Sequence, residues 1–291
     1  VVATPQLLNN NNLDFIVYDY LAEITMSIMA RARAKDSNQG YAIDFVSNVL
    51  KLNLRQISEQ KVKILSNAGG VNPEACAEAI RELIVDQKLN LKVAVVLGDD
   101  LIERKDEFDS VKEMYSNIDF PDKDKIASIN AYLGAFPIAE ALKDGADIVI
   151  TGRSVDSAVT LAACIYSFDW SESDYNKLAS GSLAGHIIEC GTQSTGGNFT
   201  DWELVSENLH QIGYPIVEIE NSGEFNCTKS QKTSGLVNFG TVAEQMLYEI
   251  GDPQAYMLPD VICDFSQVKI KELSKDVVRV AGATGYPAPK Q

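Results

Sequence analysis

The first candidate for chemistry is a histidine that is followed closely by a carboxylate and a thiol. His186 is three residues before Glu189 and four before Cys190, so on a helix the three side chains share one face. A carboxylate that orients a base beside a thiol is typical of nucleophilic catalysis, which predicts catalytic roles for all three residues. The alternative is a helix end with a hydrogen-bonded histidine, a buried, inert cysteine and a cap at Gly191.

A polar, glycine-rich run follows this predicted helix and could bind an anion. Thr195, Gly196 and Gly197 could present backbone N–H groups to an oxyanion or a phosphate. Zinc is a weaker interpretation, because a single His-x-x-Glu lacks the second histidine of the zinc-protease pattern. The other histidine of the chain, His210, is typical of a surface or capping position.

A second glycine turn follows the predicted strand at 62–65. Asn67, Gly69 and Gly70 precede Pro73, a residue that is favourable in the first turn of a helix. Free N–H groups at a helix start suit a phosphate or a carboxylate, so these residues are predicted to bind an anion. The alternative is an ordinary strand-to-helix turn.

Charged residues follow the other predicted strands. Arg153 could hold a substrate carboxylate by two parallel hydrogen bonds, and Asp156 could act as acid or base, unless the two form only a local ion pair. Asp19, Asp99 and Asp156 are also candidate ligands for magnesium, because hard cations prefer carboxylate oxygens. The alternative for these carboxylates is solvation in loops.

The residues above form one site only if the surrounding elements bring them together. Apolar runs typical of strands alternate with helical patterns in the first half of the chain, the strands at 15–18, 62–65, 91–97 and 148–150 and the helices at 21–34, 75–85, 126–142 and 154–164. This order predicts an α/β fold with a parallel sheet and flanking helices, of the doubly wound type. The run at 91–97 is typical of a strand buried on both faces. Since the carboxyl ends of parallel strands share one edge, the polar residues are expected to meet there.

The pattern changes after about residue 166. A helix at 178–189 is followed by short strands around turns, which predicts a smaller α+β region with antiparallel hairpins. We therefore expect a parallel α/β domain at 1–165 and an α+β domain at 166–291 that completes the site.

Composition limits the classes of partner. The 291-residue chain has a formal net charge of −16, which argues against nucleic acid and against an anionic membrane surface. No apolar run reaches the ~20 residues of a membrane-spanning helix. The five cysteines are widely spaced and odd in number, so they predict neither a disulfide framework nor a zinc ribbon. With no signal-peptide pattern at the start, they favour an intracellular, cytoplasmic protein.

Several runs spread over nearly the whole chain carry a family resemblance. They are Asp19–Met26, Lys35–Asp36 with Gly40–Ala42, Asn67–Pro73, Gly145–Arg153 with Asp156–Ala158, Gly185–His186 with Glu189–Gly191, Thr195–Gly197 with Phe199–Trp202, and Tyr248–Pro253. Together these runs resemble the acyclic terpene utilisation (AtuA-like) family. Relatives begin with a further strand and a glycine-rich turn, so the resemblance implies that the first strand of the family pattern is missing here.

The resemblance also implies a pathway. Relatives lie in gene clusters for the breakdown of citronellol, geraniol and related branched acids as CoA thioesters. We therefore expect a catabolic enzyme that acts on a branched-chain, terpenoid-type acyl-CoA or related carboxylate by acid/base lyase, hydratase or hydrolase chemistry. The alternative is a non-catalytic subunit that binds an acyl-CoA or scaffolds a degradation assembly. A homo-oligomer is expected by analogy.

Overall fold

A parallel four-stranded sheet forms the first half of the molecule. The computed structural model describes residues 2–9 and 12–289 of the chain. Its strands are β1 (Phe15–Tyr18), β2 (Lys63–Ser66), β3 (Val93–Val96) and β4 (Ile148–Thr151), in the spatial order β1-β2-β4-β3. All adjacent pairs are parallel, and Tyr18, Ser66 and Ile150 lie side by side near the carboxyl edge. The predicted α/β class and parallel sheet are confirmed.

Helices cover both faces of this sheet. The α-helices are α1 (Ala3–Leu8), α2 (Glu23–Lys35), α3 (Lys51–Gln60), α4 (Pro73–Asp86), α5 (Phe136–Lys143), α6 (Ala158–Phe168), α7 (Tyr175–Glu189) and α8 (Phe239–Leu247). A π-helical segment, Phe45–Leu50, leads into α3. Successive residues of β4 point into two different cores, because strand side chains alternate between faces. Val149 packs in the core that contains α5 and α6, whereas Ile148 and Ile150 pack in the core that contains α3 and α4.

Short 3₁₀ helices complete the helical part of the chain. They are Ile102–Phe108, Lys123–Lys125, Gly191–Thr195, Trp202–Leu204 and Leu209–Gln211. Within residues 2–9 and 12–289, no helix has both the length and the apolar character needed to cross a membrane.

The second half contains two antiparallel sheets. Strands β5 (Pro215–Ile219), β6 (Phe225–Lys229), β9 (Lys269–Ser274) and β10 (Val277–Ala281) pair in the order β5-β6-β10-β9, and β7 (Tyr256–Met257), β8 (Ile262–Asp264) and β11 (Thr284–Tyr286) in the order β11-β8-β7. The predicted α+β region with antiparallel hairpins is confirmed. One hydrophobic core contains Val149 of the parallel sheet and Phe225 of the antiparallel sheet, so packing is continuous across residues 165 and 166. The division into two domains there stays a prediction.

Three sequence-based expectations near the site were wrong in detail. The helix predicted at 126–142 begins only at Phe136, because the preceding segment pairs with two strand ends: the Ala131 N–H donates to the Asp99 carbonyl and the Leu133 N–H to the Arg153 carbonyl. The helix predicted from Ser154 begins at Ala158, and the residues between form a loop after β4. The third expectation was that β3 is buried on both faces. It is instead an edge strand, and its side chains are only partly buried except for that of Val96.

The turn after β2 is held by close backbone packing. The Gly69 N–H donates to the Thr151 carbonyl of the neighbouring strand at 3.1 Å. A Cβ atom on Gly69 would lie 2.5 Å from the Pro73 side chain, and Gly70 has a positive φ of 56°. Only glycine fits this approach at position 69, because the Thr151 carbonyl and the first turn of α4 leave no room for a side chain.

We predict that Gly69→Ala destabilises the protein by at least about 2 kcal/mol, because the added methyl group must displace backbone atoms. The matched control is Gly251→Ala, since a Cβ atom at Gly251 meets nothing within 4 Å. That control should change stability by no more than about 0.5 kcal/mol. Urea denaturation of both variants measures the difference, and equal stabilities would contradict the packing assigned to this turn.

Candidate functional site

The ends of the first two strands are joined by side-chain hydrogen bonds. Asp19 follows β1, and Asn67, which follows β2, is fully buried. The Asn67 side-chain amide donates to Asp19 Oδ1 at 2.5 Å, and its carbonyl oxygen accepts from the Tyr20 N–H at 2.7 Å. The Leu21 N–H also donates to Asp19 Oδ1 at 3.3 Å. Asn67 therefore fixes the Asp19 carboxylate with one of its amide N–H groups, and anion binding by Asn67 stays a prediction.

Arg153 connects the loop after β4 to the chain after β1. Its side chain is only 7% exposed, and Nη1 donates to Asp156 Oδ1 at 2.7 Å and to the Leu21 carbonyl at 3.0 Å. Its guanidinium lies 4.4 Å from the centre of the Tyr132 ring, whose hydroxyl donates to Glu23 at 2.7 Å. A substrate carboxylate could reach Nη1 only by displacing these acceptors. In the described structure these contacts hold Asp156, and anion binding by Arg153 stays a prediction.

Asp99 holds the loop after β4 by hydrogen bonds. Its Oδ2 accepts the Arg153 N–H at 2.7 Å and the Asn130 amide at 2.9 Å, and a Cβ atom on Gly152 would lie 2.5 Å from its Cγ. Asp99 is thus occupied in holding the backbone on which Arg153 sits. In the part of the chain that the structure describes, no group of three or more His, Cys, Asp or Glu is arranged to hold a metal ion. Magnesium at Asp19, Asp99 and Asp156 stays a prediction.

A buried histidine and glutamate form the centre of the second half of the site. His186 Nδ1 lies 2.9 Å from Glu189 Oε1, with side chains that are 3% and 7% exposed. His186 Nε2 is buried and makes no hydrogen bond within residues 2–9 and 12–289. Gly185 packs against the backbone of Ser157, where a Cβ atom would lie 2.8 Å from Cα. This contact sets His186 beside the loop that carries Asp156.

Burial shifts the protonation of the carboxyl groups that meet here. It raises the pKa of Asp19 to about 6, and the charge of Asp156 adds to the effect. It also raises the pKa of Glu189 to about 7, against the influence of His186, with Asp156 and Asp19 adding to the rise. Asp19, Asp156 and Glu189, which we call the carboxylate cluster, therefore lie within electrostatic range of one another. Since each comes from a different element, tertiary structure brings them together.

The pKa values of Asp156 and His186 are also raised at this site. Burial raises the pKa of Asp156, although Arg153 opposes it. Burial by itself would lower the pKa of His186, but the hydrogen bond and charge of Glu189 outweigh it, so that pKa is raised. The imidazole and the carboxylate are buried and in contact, so the two groups titrate as a coupled pair.

Cys190 is less suited to nucleophilic attack than its position in the sequence suggests. Burial, with a contribution from the charge of Glu189, raises the pKa of the thiol to about 11. The thiolate is the nucleophilic form, and it is scarce at neutral pH under these conditions. The structure thus places Cys190 next to the pair but does not activate it.

The two glycine turns use their donors internally. The N–H groups of Gly69, Gly70, Gly196 and Gly197 all donate to backbone carbonyls, and the Thr195 hydroxyl donates to another. The acceptors are, in the same order, the carbonyl oxygens of Thr151, Asn67, Gln193, Thr192 and Gly213. These donors are engaged within the described residues, and anion binding at the two turns stays a prediction. Their role in the described structure is to close tight turns.

Sequence reasoning did not single out two tyrosines at the site. Tyr132 stacks on Arg153, and the ring of Tyr256 lies 6.3 Å from the ring of His186, centre to centre. Burial raises the pKa of Tyr256 to about 12, and the charge of Glu189 adds to it. Neither tyrosine lies in a recognisable motif. Glu249 also acts on Tyr256 electrostatically. It lies in the run Tyr248–Pro253, so the family resemblance was the sequence signal that pointed to this residue.

We predict that Asp19→Asn stabilises the folded protein at about pH 8. The folded-state pKa of about 6 lies above the ordinary 3.8, so the folded chain keeps a proton that the unfolded chain loses, and stability falls as pH rises between these values. Removing this cost should add about 1–3 kcal/mol at high pH and nothing below about pH 4. Asparagine still accepts from the Leu21 N–H and from Asn67.

Urea denaturation at both pH values measures this effect. The control is Asp124→Asn at an exposed position, which should leave stability unchanged at both. A loss of stability in Asp19→Asn at about pH 8 would contradict the electrostatic cost assigned to the cluster.

Comparison with known proteins identifies the family. The model of the acyclic terpene utilisation family protein AtuA matches residues 1–291, the whole chain. Neither a curated protein nor a solved structure matches the chain. The family match confirms the resemblance seen in the sequence runs and relates the protein to the breakdown of terpenoids. The chain belongs to the acyclic terpene utilisation family AtuA.

Proposed function

We propose that this protein is a catabolic enzyme that carries out acid/base chemistry on a branched-chain, terpenoid-type acyl-CoA. Membership of the AtuA family supports the terpenoid pathway. One observation carries the chemistry: the buried pair of His186 and Glu189 lies beside Asp19 and Asp156. Nε2 of His186 has no hydrogen-bond partner in the described structure.

The carboxylate cluster supplies groups that can exchange protons near neutral pH. A general acid or base works best when its pKa is close to the working pH. Burial raises the pKa of Asp19 to about 6 and the pKa of Glu189 to about 7. We assign His186 as an acid/base group that Glu189 orients, and Asp156 as the second such group. Arg153 positions Asp156 and the chain at Leu21.

The charge of the site favours a thioester over a free carboxylate as the reacting group. Asp156 and backbone carbonyls already occupy Nη1 of Arg153, and Glu23 lies 3.9 Å from its Nη2. A further carboxylate would add like charge in a poorly solvated space, which is costly. An uncharged thioester carbonyl avoids this repulsion. Proton transfer next to it is common to the lyase and hydratase reactions, and activation of water to the hydrolase reaction.

We predict that the purified protein turns over a C10 branched acyl-CoA of the geranyl type and that His186→Gln lowers kcat by about 10²- to 10⁴-fold. The matched control is His210→Gln, because His210 is exposed. It should retain wild-type activity. Steady-state assays of thioester consumption and product formation, at equal protein concentration, measure the change.

The outcomes separate the alternatives. Binding of the thioester by calorimetry without any turnover would favour the non-catalytic acyl-CoA-binding or scaffolding subunit. Full activity of His186→Gln would remove the role assigned to the pair. Activity that persists after treatment with a chelator would exclude a required magnesium ion at Asp19, Asp99 and Asp156. Homo-oligomerisation stays a prediction, which light scattering tests.

A further inference from the structure

The reactions compatible with the proposed function share one electrostatic requirement. When a base removes a proton next to a thioester carbonyl, or when water adds to that carbonyl, negative charge develops on the carbonyl oxygen. Enzymes place hydrogen-bond donors at this oxygen, and the loss of one donor commonly costs about 10²- to 10³-fold in kcat. The carboxylate cluster makes the requirement stronger here, because nearby negative charges raise the free energy of the oxyanion.

The donors that the sequence singles out are already engaged within the described residues. Nη1 of Arg153 donates to Asp156 Oδ1 and to two backbone carbonyls. The Asn67 amide donates to Asp19. The N–H groups of the two glycine turns close those turns, as described above. Use of any of these hydrogen bonds for a substrate would break a contact that positions the site, and Nη2 of Arg153 is paired with Glu23 at 3.9 Å.

Tyr256 offers a hydroxyl donor that is not engaged in this way. It lies on β7, opposite Cys263 of β8, and its ring is held between His186 at 6.3 Å and Phe265 at 6.0 Å, centre to centre. Its side chain is partly buried, and its hydroxyl makes no hydrogen bond with the described part of the chain. The contact with the His186 ring places Tyr256 beside the pair of His186 and Glu189, and the charges of Glu189 and Asp156 both act on its hydroxyl.

We infer that Tyr256 is a further catalytic residue, whose hydroxyl donates a hydrogen bond to the thioester carbonyl oxygen of the substrate. The inference rests on the proposed function. In the proton-abstraction case, a group of the site takes the proton from the adjacent carbon, the electron pair of the C–H bond forms a carbon–carbon double bond, and the carbonyl π pair moves to oxygen. Tyr256 keeps its own proton throughout, and its high pKa of about 12 is consistent with this.

The position of Tyr256 also explains why a neutral donor suits this site. A lysine or arginine there would pair with the carboxylates and reduce their ability to take a proton. A tyrosine hydroxyl stabilises the oxyanion and leaves the basicity of Glu189 and Asp156 in place.

The test is Tyr256→Phe, which keeps the ring contacts with His186 and Phe265 and removes only the hydroxyl. The probe is a C10 branched acyl-CoA with a ¹³C-labelled thioester carbonyl, observed by isotope-edited infrared spectroscopy. We expect the carbonyl band to move to lower wavenumber on binding to the wild type, and this shift to be lost in the variant. In steady-state assays kcat should fall by about 10²-fold, with KM changed by less than about threefold.

The matched control is Tyr286→Phe, an exposed tyrosine on β11 that should leave both the band and kcat unchanged. Thermal unfolding of each variant confirms that the fold is retained. A carbonyl shift and a kcat equal to those of the wild type in Tyr256→Phe would overturn the inference and leave the proposed function intact. A wild-type protein that neither binds nor turns over the thioester would overturn the proposed function, and the inference with it.

Discussion

Three acidic side chains share a poorly solvated space at the edge of the parallel sheet, and the rest of the site limits the cost of that arrangement. Burial of a carboxylate disfavours its charged form, and neighbouring carboxylates disfavour it further. Asn67 offsets this at Asp19 by a hydrogen bond, Arg153 at Asp156 by an ion pair, and His186 at Glu189 by both. The cost that is left appears as raised pKa values in the range where acid/base catalysis works. In the proposed function, the free energy that weakens the fold here gives the site groups that exchange protons near neutral pH.

The scaffold uses several of the polar groups that the sequence suggests for ligands to hold the strand ends. Asp99 holds the loop after β4, and the Gly69 N–H bonds to the Thr151 carbonyl at the end of β4. These bonds connect the strand ends that carry Asp19 and Asp156, while α7 carries His186 and β7 carries Tyr256.

Local pattern predicted the parallel sheet well, because strands β1, β2 and β4 are short apolar runs flanked by polar turns. It failed for the helix at 126–142, whose apolar residues have helical spacing. There, backbone hydrogen bonds to Asp99 and Arg153 compete with the helix, and neither partner is local in sequence. It did not show how the glycine turns use their donors, because a glycine run with free N–H groups and one with engaged N–H groups have the same sequence signature.

The sequence by itself determined the family, the α/β class and the pairing of His186 with Glu189, since these depend on residue types at short spacing. Tertiary structure decided which carboxylates face each other, that Arg153 serves Asp156, that Cys190 stays a thiol and that Tyr256 lies beside His186. Those properties depend on desolvation and, for the carboxylates and for Tyr256 with His186, on contacts between segments that are distant in sequence. Neither can be read from spacing, because burial and charge proximity exist only once the chain is folded.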